Sequence, residues 1–294
     1  MVPLEGRVPI VNTIADNPVV KDLIRRALAE DVGAGDVTTL SVVPEISRGR
    51  AVILSRGHYV VSGLNVASAV FAAVDATLQC RFLAPDGVAV KPGQTLMTIE
   101  GGIRGILTGE RTALNFVQRM TGIASRTREF VDKVKPYGTK ILDTRKTTPT
   151  LRILEKYAVT CGGGTNHRMG LYDMVLIKDN HRRLWQEAGI SNLKGAVAAA
   201  RAKFPGIPVE VEVESVEELR DALRANPEWI MLDNMELALM RECVAICAKR
   251  AKLEASGGVT LGTVEGIAAT GVDAISIGGL THSSPAADLS LELE

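Results

Sequence analysis

The chain has 294 residues, 46% of them apolar but only 4% aromatic. That length holds one large domain or two medium ones, around an aliphatic core. Acidic and basic residues cancel to a formal net charge of +0, with a pI near 6.9, which excludes a polyanion-binding surface, and so nucleic acid, as the main business. No apolar run reaches the roughly 18 residues that would span a bilayer, and MVPLEGRVPIVN lacks the basic-then-apolar order of a signal peptide. Cys80, Cys161, Cys243 and Cys247 form neither a zinc-type CxxC pair nor a disulfide framework. Cys243 and Cys247 are four apart in an apolar helical run and read as buried thiols. A reduced, cytoplasmic location is the expectation.

The first part of the chain mixes elements. Asn17 followed by Pro18 predicts a capped helix through VVKDLIRRALAED. GRAVILSRGHYVVSG and LQCRFLAPDGVAVKPGQTLMTIEG read as strands broken by Asp86-Gly87 and Pro92-Gly93 turns, with a helical GLNVASAVFAAVD between them. This predicts an α+β module with an antiparallel sheet. A long helix is expected from about Glu110 to Lys135, with Thr108 as its cap and Pro136 helping to stop it.

The chain then alternates. KILDT, MVLIKDN, IPVEVEVES, WIMLDN, KLEASGG and DAISIGG read as strands; VEELRDALRA, MELALMRECVAICAKRA and GTVEGIAATG, between the later ones, read as helices. Such repeats predict a parallel sheet. Six strands are too few for a full eight-stranded barrel, so an incomplete α/β barrel is expected.

These strands are apolar in their bodies and carry polar residues or glycines at their C-terminal ends, where parallel α/β folds bind ligands. KILDT leads to Arg145-Lys146, MVLI to Lys178, WIML to Asp233, KLEA to Ser256-Gly257-Gly258 and DAISI to Gly278-Gly279. With His167 and Arg168, the cations Arg145, Lys146 and Lys178 form a local cluster on a neutral chain, suited to a small, highly anionic ligand. Glu212 and Asp233 either hold sugar hydroxyls or a hydrated magnesium ion, or Glu210, Glu212 and Glu214 merely make a solvated strand face. The paired glycines suit either a phosphate cradle or ordinary turns. Gly162-Gly163-Gly164 is not a Walker loop; it reads as flexible or close-approaching backbone beside His167-Arg168. His181 and His282 are either site residues or hydrogen-bonded loop histidines. No GxSxG, HExxH or GxGxxG motif is present.

Taken together, GERTALNFVQRMTGIAS, DTRKTTP, GGGTNHRMGLYDMVLIKDNH, EVEVES, LDN, EASGG and ISIGGLTHS resemble the quinolinate phosphoribosyltransferase family. The resemblance runs through nearly the whole chain, with one small departure, Gly279 where the family commonly has alanine. It implies an N-terminal α/β sandwich domain, residues 1–116 plus a returning tail 283–294, followed by an open α/β barrel, residues 117–282, of the type II phosphoribosyltransferase kind. It implies transfer from 5-phosphoribosyl-1-pyrophosphate to quinolinate with decarboxylation, assisted by Mg2+. By position, Arg145, His167, Arg168 and Lys178 would clamp quinolinate. Lys146 and Lys178 would reach the donor, and Glu212 and Asp233 would take the ribose and magnesium side, with Lys146, Glu212 and Asp233 the catalytic set. Ser256, Gly257, Gly258, Gly278 and Gly279 would cradle the 5-phosphate. Arg111 would reach the site of a partner subunit, making a homodimer or an oligomer of dimers; from the residues alone it is equally a helix-start arginine on a solvated face. The competing expectations are a related transferase with another acceptor and a non-catalytic nucleotide-sensing scaffold.

Overall fold

The computed structural model describes residues 14–187 and 193–294; the N-terminal MVPLEGRVPIVN reading therefore lies outside the described residues. Helix α1 (Pro18–Val32) starts as expected, with the Asn17 side chain accepting a hydrogen bond from the Val19 N–H. A short helix α2 (Val37–Val42) follows, capped by Asp36. Then come β1 (Arg48–Ser55), β2 (Tyr59–Val60), α3 (Leu64–Val74), β3 (Gln79–Phe82), β4 (Ala89–Val90) and β5 (Thr95–Gly102). Helix α4 spans Ile103–Val134. It begins earlier than the expected Glu110, and Thr108 does not cap it. Thr108 lies inside the helix, its hydroxyl 3.3 Å from an Asp36 carboxylate oxygen. β5 ends on Gly101-Gly102 and α4 starts at the next residue, Ile103, so the backbone passes directly from strand to helix.

The rest of the chain runs β6 (Lys140–Leu142), α5 (Arg152–Cys161), β7 (Val175–Ile177), α6 (Asp179–Glu187), α7 (Leu193–Lys203), β8 (Val209–Val213), α8 (Val216–Ala225), β9 (Trp229–Asp233), α9 (Leu237–Cys247), β10 (Lys252–Ser256), α10 (Val264–Ala268), β11 (Ala274–Ser276), α11 (Gly279–His282) and β12 (Leu289–Leu293). The described residues form two compact units. One contains residues up to Arg128 with Thr147–Gly163 and Leu280–Glu294; the other contains Glu129–Lys146 and Gly164–Gly279. Both the boundary expected after residue 116 and the division at Arg128/Glu129 fall within α4.

In the first unit the sheet order is β12-β1-β5-β3, and every pairing is antiparallel. The tail does return: Leu289–Leu293 pairs with Ala51–Ser55 of β1. Leu64, Phe71, Leu96, Met97, Ile99, Ile106 and Met120 are buried in this unit. Gly162 ends α5 against α4, where an added Cβ would lie 2.4 Å from the Ala124 carbonyl oxygen. The glycine run thus serves helix packing at that position.

The second unit is built on a six-stranded sheet of order β6-β11-β10-β9-β8-β7, all parallel. Helices connect the strands, as parallel pairing requires. β6 and β7 end the strand order and do not pair with each other among the described residues, so the barrel is open; beyond β11, β6 makes only an isolated parallel bridge, Leu142 to Thr165. Leu142, Met174, Trp229 and Ala274 form one of its buried clusters. Cys243 and Cys247 are free and buried on α9, as their spacing predicts.

Candidate active site

The parallel topology decides which residues can meet. All six strands point the same way, so residues distant in sequence collect at one sheet edge. Arg145 and Lys146 follow β6, Lys178 follows β7, Glu212 is near the end of β8, Asp233 ends β9, Ser256 ends β10 and Gly278 follows β11. Arg111 lies on α4 in the other unit, exposed and well inside the helix rather than at its start.

Strand β8 settles the open question about its glutamates. Every position of VEVEV is buried. Alternation puts Val209, Val211 and Val213 on one face and the two glutamates on the other. Glu212 is 5% exposed and Glu210 fully buried, so neither is part of a solvated face; Glu214, beyond the strand, is exposed. Glu212 accepts a hydrogen bond from the Lys178 ammonium at 2.5 Å, a charge-assisted contact that joins two expected site residues.

Arg168 is part-buried, and its guanidinium is held below the usual arginine range first by that burial and then by the neighbouring positive charge of Arg145. Its Nη1 donates to the Met174 carbonyl at 3.2 Å. The positive charge of Arg145 disfavours a second cation at Arg168, and a dianion placed against both would offset that repulsion. Perturbation and position together make Arg168 a functional-site candidate.

His167 does not face outward. Its Nε2 lies 3.1 Å from Glu210 Oε2 and 3.4 Å from Glu254 Oε2, and Nδ1 lies 2.7 Å from the Arg168 backbone nitrogen. Burial pushes the ring's pKa down, but hydrogen bonds and charge from Glu210 and Glu254 reverse this and raise it to about 10. The Arg168 N–H aimed at Nδ1 opposes a second ring proton. In either ring state Nε2 carries a proton, donated to the carboxylates. Burial and the charge of Glu254 push Glu210 up to about 7. Sequence reasoning missed Glu254 and gave Glu210 no role. The available signal was a carboxylate in the body of an apolar strand, since a glutamate is almost never fully buried without a partner.

Asp233 is part-exposed and accepts a hydrogen bond from the Asn234 amide at 2.9 Å. Asn234 has φ +52°, and its backbone N–H donates to the Ser256 carbonyl. Gly257 has φ +101°, and a Cβ there would lie 2.0 Å from Asn234 Oδ1. Glycine is thus required twice, by conformation and by close approach. A cavity of about 520 Å³ opens beside Gly257 and Gly258, with Met235, Thr263 and Ile267 among its lining. At Gly279 an added Cβ would meet nothing nearer than Ile277, at 4.0 Å. His181 is a local capping residue, its Nδ1 accepting from the Lys178 N–H at 3.0 Å. His282 Nδ1 contacts the Ser283 hydroxyl.

Two family models match, described as the quinolinate phosphoribosyl transferase N-terminal domain over residues 36–121 and the C-terminal domain over residues 123–292. The chain is 43% identical to the nicotinate-nucleotide pyrophosphorylase [carboxylating] of Mycobacterium leprae, covering 93% of this chain and 96% of that protein. It is 39% identical to the chloroplastic protein of the same name from rice, Oryza sativa subsp. japonica, covering 99% of this chain and 82% of the relative. Among solved structures, the nicotinate-nucleotide pyrophosphorylase of Francisella tularensis matches with a TM-score of 0.88 at 38% identity, covering 94% of this chain and 96% of that one. Matched along nearly its whole length, in both domains and in fold, the chain belongs to the quinolinate phosphoribosyltransferase family.

Proposed function

We propose that this protein transfers the phosphoribosyl group of 5-phosphoribosyl-1-pyrophosphate to quinolinate, with decarboxylation, giving nicotinate mononucleotide, pyrophosphate and carbon dioxide. The observation that carries this reading is the Arg145–Arg168 pair, two part-buried cations near enough for the charge of Arg145 to weigh on Arg168. A dicarboxylate with adjacent carboxyl groups is the ligand that relieves their repulsion, and a single guanidinium would suffice for a monocarboxylate.

Arg145 and Arg168 bind the carboxylates and hold the pyridine nitrogen toward the anomeric carbon. Its lone pair forms the new C–N bond as the bond to the pyrophosphate oxygen breaks. Lys146 and Lys178 stand against the donor's phosphates and stabilise the negative charge that develops there. Glu212 and Asp233 accept from the ribose hydroxyls and stabilise positive charge on the sugar. With the ring nitrogen now cationic, the adjacent carboxylate leaves as carbon dioxide. Its electron pair stays on the ring carbon, where a proton is taken up. No covalent enzyme intermediate is needed.

Magnesium fits the donor set: Glu212 and Asp233 offer hard carboxylate oxygens from neighbouring strands. These two residues would hold the ion, with substrate and water completing its shell, and it would neutralise charge on the departing pyrophosphate. Ser256, Gly257, Gly258, Gly278 and Gly279 serve the 5-phosphate. The working unit is a homodimer, or an oligomer of dimers, in which Arg111 completes the site of a partner subunit; its exposure on α4 leaves it available. A cytoplasmic location accords with four unbridged cysteines. No helix among the described residues is long and apolar enough to cross a membrane.

The test is an assay of the pure protein with quinolinate, the phosphoribosyl donor and magnesium, following both products. Equal amounts of nicotinate mononucleotide and carbon dioxide are expected, with no product from nicotinate. Donor binding without either product would overturn the acceptor assignment.

A further inference from the structure

The segment from His167 to Gly170 has four consecutive backbone N–H groups, and a side chain accepts each of them. His167 donates to the buried Asp143 at 2.8 Å, Arg168 to the His167 ring at 2.7 Å, and Met169 and Gly170 to Asp173 at 2.7 and 3.1 Å. Strand pairing does not fix this stretch, which lies outside the named strands. Its conformation is therefore set by side chains, and Arg168 is held at its centre.

The histidine is the link from this segment to the sheet. Its side chain is 8% exposed, and the two carboxylates facing Nε2 are 0% and 1% exposed, one from β8 and one from β10. Both ring nitrogens are occupied, one by the sheet's carboxylates and one by the N–H of Arg168. A ring held in this way has no nitrogen left for a ligand. Buried carboxylates are costly to retain without a role. Each of these also keeps its Oε1 without a hydrogen-bond partner among the described residues.

We propose that Glu210 and Glu254 are positioning residues that act through His167 to fix Arg168, and that His167 supplies orientation instead of a contact to the acceptor. This rests on the assignment of Arg168 to the acceptor's carboxylates. The mechanical logic is that of an outer layer holding an inner one: a rigid strand–carboxylate–imidazole strut sets the backbone from which the guanidinium projects. It revises the expected clamp of Arg145, His167, Arg168 and Lys178 by moving His167 behind it.

The test uses Glu254→Gln, Glu210→Gln, His167→Gln and His167→Asn in the full chain. Glutamine at 167 can still donate toward the carboxylates; asparagine can still accept from the Arg168 N–H. Steady-state kinetics should show kcat/KM for quinolinate falling roughly tenfold to a hundredfold in the glutamate variants, the scale of a misplacement of about 1 Å. KM for the phosphoribosyl donor should stay within about twofold. Equal loss for both substrates, or no loss for either, would overturn the proposal. Nitrogen-15 NMR of the histidine rings gives a readout independent of turnover. In the wild type one ring should show a protected Nε2–H, lost or shifted in Glu210→Gln and Glu254→Gln; its absence from the wild type would refute the strut even if the enzyme is active. If the wild type shows that signal yet binds no quinolinate, the acceptor assignment fails while the strut stands. A stoichiometric metal in the purified protein that is lost in Glu254→Gln would also overturn the proposal, because the three groups would then be a metal centre.

Discussion

Replacing Gly257 by alanine tests the geometry that joins β9 to β10. The new Cβ would sit 2.0 Å from Asn234 Oδ1, 2.5 Å from its Cγ and 3.1 Å from its backbone nitrogen. An ordinary contact needs about 3.5 Å, so the amide group must move by more than 1 Å. That movement breaks the 2.9 Å hydrogen bond to Asp233, worth about 0.5–1.5 kcal/mol net. The φ of +101° adds strain of about 1–3 kcal/mol in a non-glycine residue. The sum, about 1.5–4.5 kcal/mol, is below the usual total stability of about 5–15 kcal/mol, so the variant should fold. Asp233 would lose its orientation, and kcat/KM should fall by up to about 100-fold. Urea unfolding and the product assay measure the two effects. The control for the close approach is Gly258→Ala, at φ +59° with nothing within 4 Å of the added Cβ; it carries only conformational strain, about 1–2 kcal/mol, and should lose less stability than Gly257→Ala. Equal loss of stability in the two variants would refute the close-approach argument.

Arg145→Ala should raise KM for quinolinate by roughly 30-fold or more, because truncating one partner of a buried charge pair costs about 2–5 kcal/mol; saturation kinetics at fixed donor concentration measure this. Glu155→Ala should destabilise the protein by about 3 kcal/mol in urea unfolding, the low end for breaking a buried pair. Glu155 is 1% exposed and accepts from Arg119 at 2.8 Å and from the Thr148 N–H at 3.0 Å, while Arg119 is 27% exposed. Arg111→Ala and Arg145→Ala proteins, each nearly inactive, should recover part of the activity when mixed if sites are shared across a dimer. No recovery despite demonstrated subunit exchange would count against sharing.

Much of the architecture is local in origin and so was readable from the chain. Asn17 and Pro18 start α1 because capping and a fixed φ act over a few residues. The six parallel strands appear where apolar runs end in polar residues, since a strand buried on both faces must be apolar in its body. The motifs, read as a resemblance, also carried the returning tail, whose pairing with β1 no local pattern announces. The start of α4 was misplaced because Ile103–Gly109 carries no cap signal, and burial of Ile106 rather than a cap holds that turn in the helix.

What the sequence by itself determined is the inventory of the site: cations and carboxylates at the ends of parallel strands, on a chain of zero net charge. That much follows from composition, strand periodicity and the direction of parallel pairing. Only the tertiary structure decided which members of that inventory meet. It put Glu212 against Lys178, made Glu210 interior, and set His167 against Glu210 and Glu254. The physical reason is that a charged side chain's role depends on which partner lies within about 3 Å and how much water is excluded. Strands separated by more than 30 residues in sequence, as β8 and β10 are, set both quantities only when the sheet has formed.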